Sequence, residues 1–388
     1  MIYRTLENII ISLSKDYPVV TITGPRQAGK TTLAKMAFPN YSYCNLEHPE
    51  IRDIAKNDPK GFFNQFKAPL IIDEVQRVPE LLSYIQVNVD NNRRNGEYIL
   101  TGSHQLTLNA SITQSLAGRT ALISLLPFSL EELRNTEHSK KSRDFFIYNG
   151  FLPRIYDQNQ NPTTAYRNYL HTYVERDVRQ LINLKDLATF EKFLRLLAGR
   201  IGQPVNMSSL ANDTGISATT ISNWMSILEA SYILFKLQPY SINVGKRIIK
   251  SPKIYFIETG LAAYLLGIEN EQQVARDPLL GNLFENMVVV EALKAQTNKG
   301  CDPNLFYYRD SHNNEIDLLY INGRDIIPVE IKASSTYNEN FKKGLLRYIA
   351  ANNLINNGYV IYSGNLDFAT TENIKIKPFV NTANIFEK

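Results

Sequence analysis

The sequence predicts an α/β protein: a parallel sheet around a glycine-rich turn, then a helical module, then a further α/β domain. Three observations predict it. A β-branched run, Pro18-Val-Val-Thr-Ile-Thr23, flows into Gly24-Pro-Arg-Gln-Ala-Gly-Lys-Thr31 and then into a helix. A second apolar strand, Ala68-Pro-Leu-Ile-Ile-Asp-Glu74, ends in two carboxylates. Late in the chain, two strands joined by Asn322-Gly-Arg324 carry Asp317 on one side and Glu330-Ile-Lys332 on the other.

The glycine-rich stretch fits G-x-x-x-x-G-K-[ST] in full and lies between strand and helix, the context that gives this motif its meaning. Gly24 and Gly29 let the backbone turn so that successive N–H groups face an anion. The following helix adds its positive end. Lys30 supplies a point charge to outer phosphates, and Thr31 offers a hydroxyl to Mg2+. A continuous apolar run is the mark of a buried parallel strand, and ligands lie beyond the carboxyl ends of such strands. Asp73 is therefore placed to hold Mg2+ and Glu74 to polarise an attacking water. A third strand, Glu97-Tyr-Ile-Leu-Thr-Gly-Ser-His104, brings either Ser103 or Thr101 to the terminal phosphate or the water.

The 388 residues suggest two or three domains, and 44% hydrophobic content is ample for ordinary cores. A net charge of +4 neither demands nor excludes nucleic acid. Cys44 and Cys301 are far apart and form no metal-spaced pair, which fits a reduced, cytoplasmic location. The first residues lack a long apolar stretch, and no run approaches a membrane span, so no membrane partner is expected.

The expected organisation is a nucleotide-binding domain over residues 1–150, a helical module over 151–253 and a third domain over 254–388. Within the second, Ser208–Leu228 reads as helix, turn at Gly215 and second helix capped by Ser217. A strand pair over 233–254 follows, joined by a turn at 243–247, with Lys246, Arg247, Lys250 and Lys253 clustered as on a basic wing. This winged helix is either a DNA-contacting element or a packing module. Its second helix carries no Arg or Lys to reach guanine edges, so duplex contacts would rest on the wing.

In the third region, period two puts Glu330 and Lys332 on one face of their strand, and Asp317 can face them from its neighbour. Two carboxylates facing one site can hold a second divalent metal, and a lysine beside them can orient water or stabilise a cleaved phosphate. Glu285, on the preceding helix, would complete the set.

Taken together, these motifs resemble a group of prokaryotic AAA+-type P-loop ATPases fused to a winged helix and a C-terminal restriction-endonuclease-like domain. The resemblance rests on the loop Gly24–Thr32 and on Ile72-Asp-Glu-Val-Gln76, Leu100-Thr-Gly-Ser103, Leu116-Ala-Gly-Arg119 and Leu125-Leu-Pro-Phe-Ser-Leu130. Tyr173-Val-Glu-Arg-Asp-Val178, Tyr255-Phe-Ile-Glu-Thr-Gly-Leu261 and Val329-Glu-Ile-Lys-Ala-Ser334 extend it. It implies ATP bound by Gly24, Pro25, Arg26, Gln27, Ala28, Gly29, Lys30, Thr31 and Thr32. It also places Ser103 as a sensor and Arg119 as a charge-stabilising arginine, acting across a subunit interface in a homo-oligomer. Two positions depart from the pattern: Glu258 stands where aspartate is expected, and His104 interrupts Thr-Gly-Ser-Gln.

The expected function is an Mg2+-dependent ATPase coupling nucleotide state to a winged-helix and nuclease-like module that acts on nucleic acid. The alternative is an ATP-dependent switch that binds DNA or a protein without cutting. A small-molecule kinase is disfavoured, because the Asp-Glu pair suits water as nucleophile and no acceptor-binding lid is evident.

Overall fold

The structure is a computed structural model that describes residues 2–103, 115–174, 186–240, 251–310, 314–352 and 355–386. His104, the stretch Glu175–Val178 and the expected wing residues Lys246, Arg247 and Lys250 lie outside the described residues. The chain forms two compact units. The first is Met1–Phe128 with Ala230–Tyr232 and Thr297–Cys301, and the second is the remainder.

In the first unit, strands β1 (Val19–Thr23), β2 (Ser42–Asn45), β3 (Leu70–Asp73), β4 (Tyr98–Thr101) and β5 (Thr120–Ser124) form one parallel sheet in the order β2-β3-β4-β1-β5. Every residue of β1, β3 and β4 is buried. Alternation explains why these strands are apolar throughout. Val20, Ile22, Ile71 and Ile99 pack on α1 (Leu6–Asp16) and α2 (Lys30–Ala37). Val19, Leu70, Ile72, Tyr98 and Leu100 pack on the other face against α3 (Pro49–Asn57), α4 (Pro59–Gln65) and α5 (Leu81–Asn92). Because all five strands run the same way, Gly24, Asn45, Asp73 and Thr101 share one edge. The position of β4 between β1 and β3 puts its polar end between the glycine-rich loop and the carboxylates.

In the second unit, Met207–Thr214, Gly215 at φ +77° and Ala218–Ala230 form the expected helix, turn and helix. Gly215 ends the first helix in the left-handed conformation glycine accepts without strain. The Ser217 hydroxyl accepts from Thr220 N at 3.1 Å and caps the second. The second helix buries Ile221, Met225 and Leu228 and wedges Trp224 between Phe190 and Phe193, at ring distances of 5.1 and 5.3 Å. Its exposed positions are Ala218, Thr219, Ser222, Asn223 and Ser226, and it carries no lysine or arginine.

The strand pair that follows, β6 (Leu234–Pro239) and β7 (Lys253–Phe256), is antiparallel. Strand β6 also pairs with β8 (Leu305–Arg309). It thereby joins β9 (Glu315–Asn322), β10 (Asp325–Lys332), β11 (Gly358–Tyr362), β12 (Phe368–Ala369) and β13 (Ile374–Pro378) in an eight-stranded sheet ordered β12-β13-β11-β10-β9-β8-β6-β7. Strands β9 and β10 are the expected hairpin, turned at Gly323 with φ +63°. The long helix Leu280–Thr297 has buried residues on every side. No helix among the described residues is long and apolar enough to cross a membrane.

Candidate functional sites

The loop after β1 is built from positive φ angles: Gly24 at +143°, Gln27 at +62° and Gly29 at +92°. Such a run turns N–H groups toward a common centre, which is a cradle for an anion. At Gly24 glycine is also required by space, since a Cβ there would meet Leu125 O at 2.1 Å. Lys30 opens α2 and is only 6% exposed; its ammonium donates to Gly24 O at 2.9 Å and Pro25 O at 2.8 Å. Burial lowers the Lys30 pKa to about 8, against the pull of Glu74 and Asp73. Arg26 lies near enough to oppose the Lys30 charge.

Asp73 ends β3, is 4% exposed and is held from three sides. Thr31 Oγ1 donates to Oδ1 at 3.0 Å and Oδ2 at 2.9 Å. Tyr43 OH donates to Oδ2 at 3.0 Å, and Thr101 Oγ1 donates to Oδ1. Glu74 takes a left-handed conformation, φ 58° and ψ 44°, uncommon for a non-glycine residue. The Gln76 amide donates to Glu74 Oε2 and to Ser103 Oγ, the latter at 3.2 Å, and Ser103 Oγ lies 3.4 Å from Glu74 Oε2.

Lys30, Thr31, Asp73, Glu74 and Ser103 are thus brought to one edge beside the loop Gly24–Thr32. Thr31 and Asp73 together form an all-oxygen donor set suited to Mg2+, next to an ammonium suited to phosphate. Arg119 is not brought there within one chain. It precedes β5, its carbonyl accepts from Val19 N at 3.2 Å, and it therefore sits at the amino ends of the strands. Its guanidinium grips Asp90 at 2.6 and 2.9 Å. Sequence reasoning missed Tyr43 and gave Gln76 no role. It also missed Tyr232, whose hydroxyl shares hydrogen bonds with Thr23 Oγ1 at 2.8 Å and Ser124 Oγ at 3.0 Å.

In the second unit, Asp317, Glu330 and Lys332 meet as the alternation implies. Asp317 Oδ2 accepts from Ile331 N at 2.8 Å, and Lys332 Nζ lies 2.5 Å from Glu330 Oε2 and 3.7 Å from Asp317 Oδ2. They line a cleft of about 380 Å³ with Tyr308, Asn340 and Arg347. Gly344 passes so close that a Cβ there would stand 2.6 Å from Glu330 Oε1.

Glu285 lies within electrostatic reach of Asp317 and Lys332 but makes its hydrogen bonds to other residues. Its Oε1 accepts from Tyr255 OH at 2.6 Å and Lys253 Nζ at 3.0 Å, and Lys253 also pairs with Glu315 at 2.5 Å. Among the described residues no group of three or more His, Cys, Asp or Glu is arranged to hold a metal. The acids instead face lysines. This also corrects the placement of Lys253 on a solvent-facing basic wing: it is 1% exposed, because two carboxylates from distant segments close over it.

Glu258, the other departure, is a buried acceptor for Phe151 N at 2.7 Å and Tyr166 OH at 2.8 Å.

Burial, reinforced by Asp317, pushes Glu285 up to about 7 and Glu330 to about 8, from an ordinary 4.5. A carboxyl whose value is raised on folding contributes stability that is complete below its unfolded value and is lost as pH rises through its folded value. The second unit is therefore expected to lose stability between pH 4.5 and about 8. The single tryptophan, Trp224, lies in that unit and reports on it. Its fluorescence should give a denaturant midpoint that falls with pH, with a flatter dependence in Glu330→Gln. A midpoint that does not move across this range would contradict the burial argument.

Sheet order, glycine-rich loop and carboxyl-edge acids define a P-loop ATPase of AAA type, and residues 16–134 match the family described as an AAA domain. Residues 140–272 and 280–381 match two domains of unknown function, DUF8612 and DUF4143. The chain belongs to the same family as an uncharacterized protein of Mycobacterium tuberculosis, to which it is 32% identical over 82% of this chain and 71% of the relative. An uncharacterized protein of Haemophilus influenzae is 24% identical over 74% of this chain and 77% of its own. Among solved structures, the Walker-type ATPase of Pyrococcus abyssi aligns with a TM-score of 0.45 and 14% identity, covering 67% of this chain and 94% of that one.

Proposed function

We propose that the chain is an Mg2+-dependent ATPase whose nucleotide state controls a helix–turn–helix and nuclease-like C-terminal part acting on nucleic acid. The observation that carries the ATPase reading is the convergence of Lys30, Thr31, Asp73, Glu74 and Ser103 on the carboxyl edge of one sheet. In this reading Lys30 leaves the loop carbonyls for the outer phosphates, and Thr31 and Asp73 hold Mg2+. Glu74 takes the proton of the attacking water, and Ser103 and Gln76 orient Glu74. When bound, Mg2+ neutralises charge on the phosphate oxygens. Three functional parts, over 1–150, 151–253 and 254–388, fit this reading. A phosphate-directed role for Arg119 requires a second copy of the chain, because its own sheet separates it from the loop.

Coupling is supported by covalent order. Ala230, the last residue of the second helix of the helix–turn–helix, and the two residues after it, Ser231 and Tyr232, belong to the first unit. The Tyr232 hydroxyl meets Thr23, the residue before Gly24. ATP hydrolysis in Mg2+, measured with and without single- and double-stranded DNA, tests the assignment. Stimulation by DNA is expected, and Asp317→Asn and Glu330→Gln should keep the ATPase while losing metal-dependent cleavage. Hydrolysis indifferent to DNA, with no cleavage under varied metals, would remove the nucleic-acid part.

One observation favours a switch that binds a protein instead: the second helix carries no lysine or arginine and Lys253 is buried. DNA binding through phosphates weakens steeply with salt, so binding without salt dependence would support the switch.

A further inference from the structure

We infer that Tyr43, on edge strand β2, is a positioning residue for the carboxylate of Asp73 and sets the Mg2+ requirement of the nucleotide site. The inference rests on the ATPase reading and extends it to a residue outside the loop and the Asp-Glu strand. Strand β3 lies between β2 and β4, and each neighbour contributes a hydroxyl to a different oxygen of Asp73. Thr101 from β4 donates to Oδ1, and Tyr43 from β2 donates to Oδ2 at 3.0 Å. Two donors on opposite oxygens fix the plane of the carboxylate. Thr31 also donates its O–H to the carboxylate, and a metal on its oxygen would use a lone pair and leave that donor in place. Tyr43 and Thr101 are the donors to Asp73 that come from outside the loop and take no part in holding Mg2+.

Helix α2 supports the phenol. Lys35 lies four residues after Thr31, on the same helical face, and its ammonium stands 3.5 Å from the centre of the Tyr43 ring. One face of α2 thus addresses the carboxylate through Thr31 and its holder through Lys35. A phenol is protonated at neutral pH, so Tyr43 is a permanent donor. Partners that orient a metal-holding carboxylate typically change metal affinity by about 10–100-fold when removed.

Tyr43→Phe deletes the donor and keeps the ring under Lys35. The expected result is a half-saturating Mg2+ concentration for ATP hydrolysis raised about 10-fold or more. ATP affinity in EDTA should stay that of the wild type, and the melting temperature should fall by no more than the loss of one hydrogen bond accounts for. A merely structural tyrosine would instead leave the Mg2+ requirement unchanged, or weaken ATP in EDTA and Mg2+ alike. An unchanged Mg2+ requirement, with normal Mg2+-dependent turnover in the wild type, overturns the role of Tyr43 and leaves the ATPase standing. A wild type that neither binds nor hydrolyses ATP in Mg2+ removes both.

Discussion

Lys30→Ala is expected to lower ATP turnover by about 100-fold or more, to the background of the assay. Deleting one preorganised donor aimed at developing charge costs about 10²–10³ in rate, and a buried ammonium at a phosphate is a strong case. Lys30 is 6% exposed, and its ammonium is held by the carbonyls of the loop itself, at the start of the helix where the outer phosphates would lie. The ammonium also bonds Gly24 O and Pro25 O and thereby ties the first half of the loop to α2. Losing those bonds costs about 1–3 kcal/mol, because two carbonyls lose a charged donor. The core of the unit lies elsewhere, on both faces of the sheet, so the variant should fold. Phosphate release in Mg2+ beside the wild type, with a melting curve for each, separates the two effects. Normal turnover in a folded Lys30→Ala would sink the assignment of the nucleotide site.

The loop was readable because all its requirements are local. Glycine at two positive-φ positions, a lysine at the helix start and a hydroxyl after it occupy consecutive residues. The Asp73-Glu74 edge was readable because burial on both sheet faces forces a continuous apolar run, and the run stops where the chain reaches the edge. The β9–β10 hairpin was readable for a related reason: period two fixes which side chains share a face, and Gly323 marks the turn.

What was not readable depends on which strands become neighbours. Tyr43 sits in Ser42-Tyr-Cys-Asn45, a short stretch with no strong pattern, and its value arises only because β2 pairs with β3. Arg119 reads in sequence like a phosphate arginine, yet the start of β5 pairs with the start of β1, which sends it to the opposite edge from Gly24. The union of β6 with β8 was equally hidden, because the pairing of Gln238 with Phe306 is decided by tertiary packing and not by either segment's own pattern.

Lys253→Met is expected to destabilise the second unit by about 3–5 kcal/mol, the range for removing one partner from a buried ion pair. Local charge counting groups Lys253 with Lys246, Arg247 and Lys250, a set that suggests nucleic acid. The fold gives it a different task. Its ammonium neutralises Glu285 and Glu315, and it is 1% exposed. Once it is gone, Glu285 keeps only the Tyr255 hydroxyl among these partners, and Glu315 keeps Arg309 at 3.6 Å. The deficit should grow with pH, since protonation relieves the Glu285 carboxyl, which burial already pushes up to about 7 in the wild type. Adding Glu285→Gln to Lys253→Met should recover part of the loss, because the uncompensated charge is then removed at its source. Urea denaturation followed by Trp224 fluorescence at pH values on either side of this range measures all three variants. The competing role makes the opposite forecast: a lysine on a phosphate would leave stability untouched and reduce the salt slope of DNA binding by about one. A Lys253→Met protein as stable as the wild type, with a shallower salt slope, would return this residue to a DNA-binding surface and remove its place in the acid–lysine cluster.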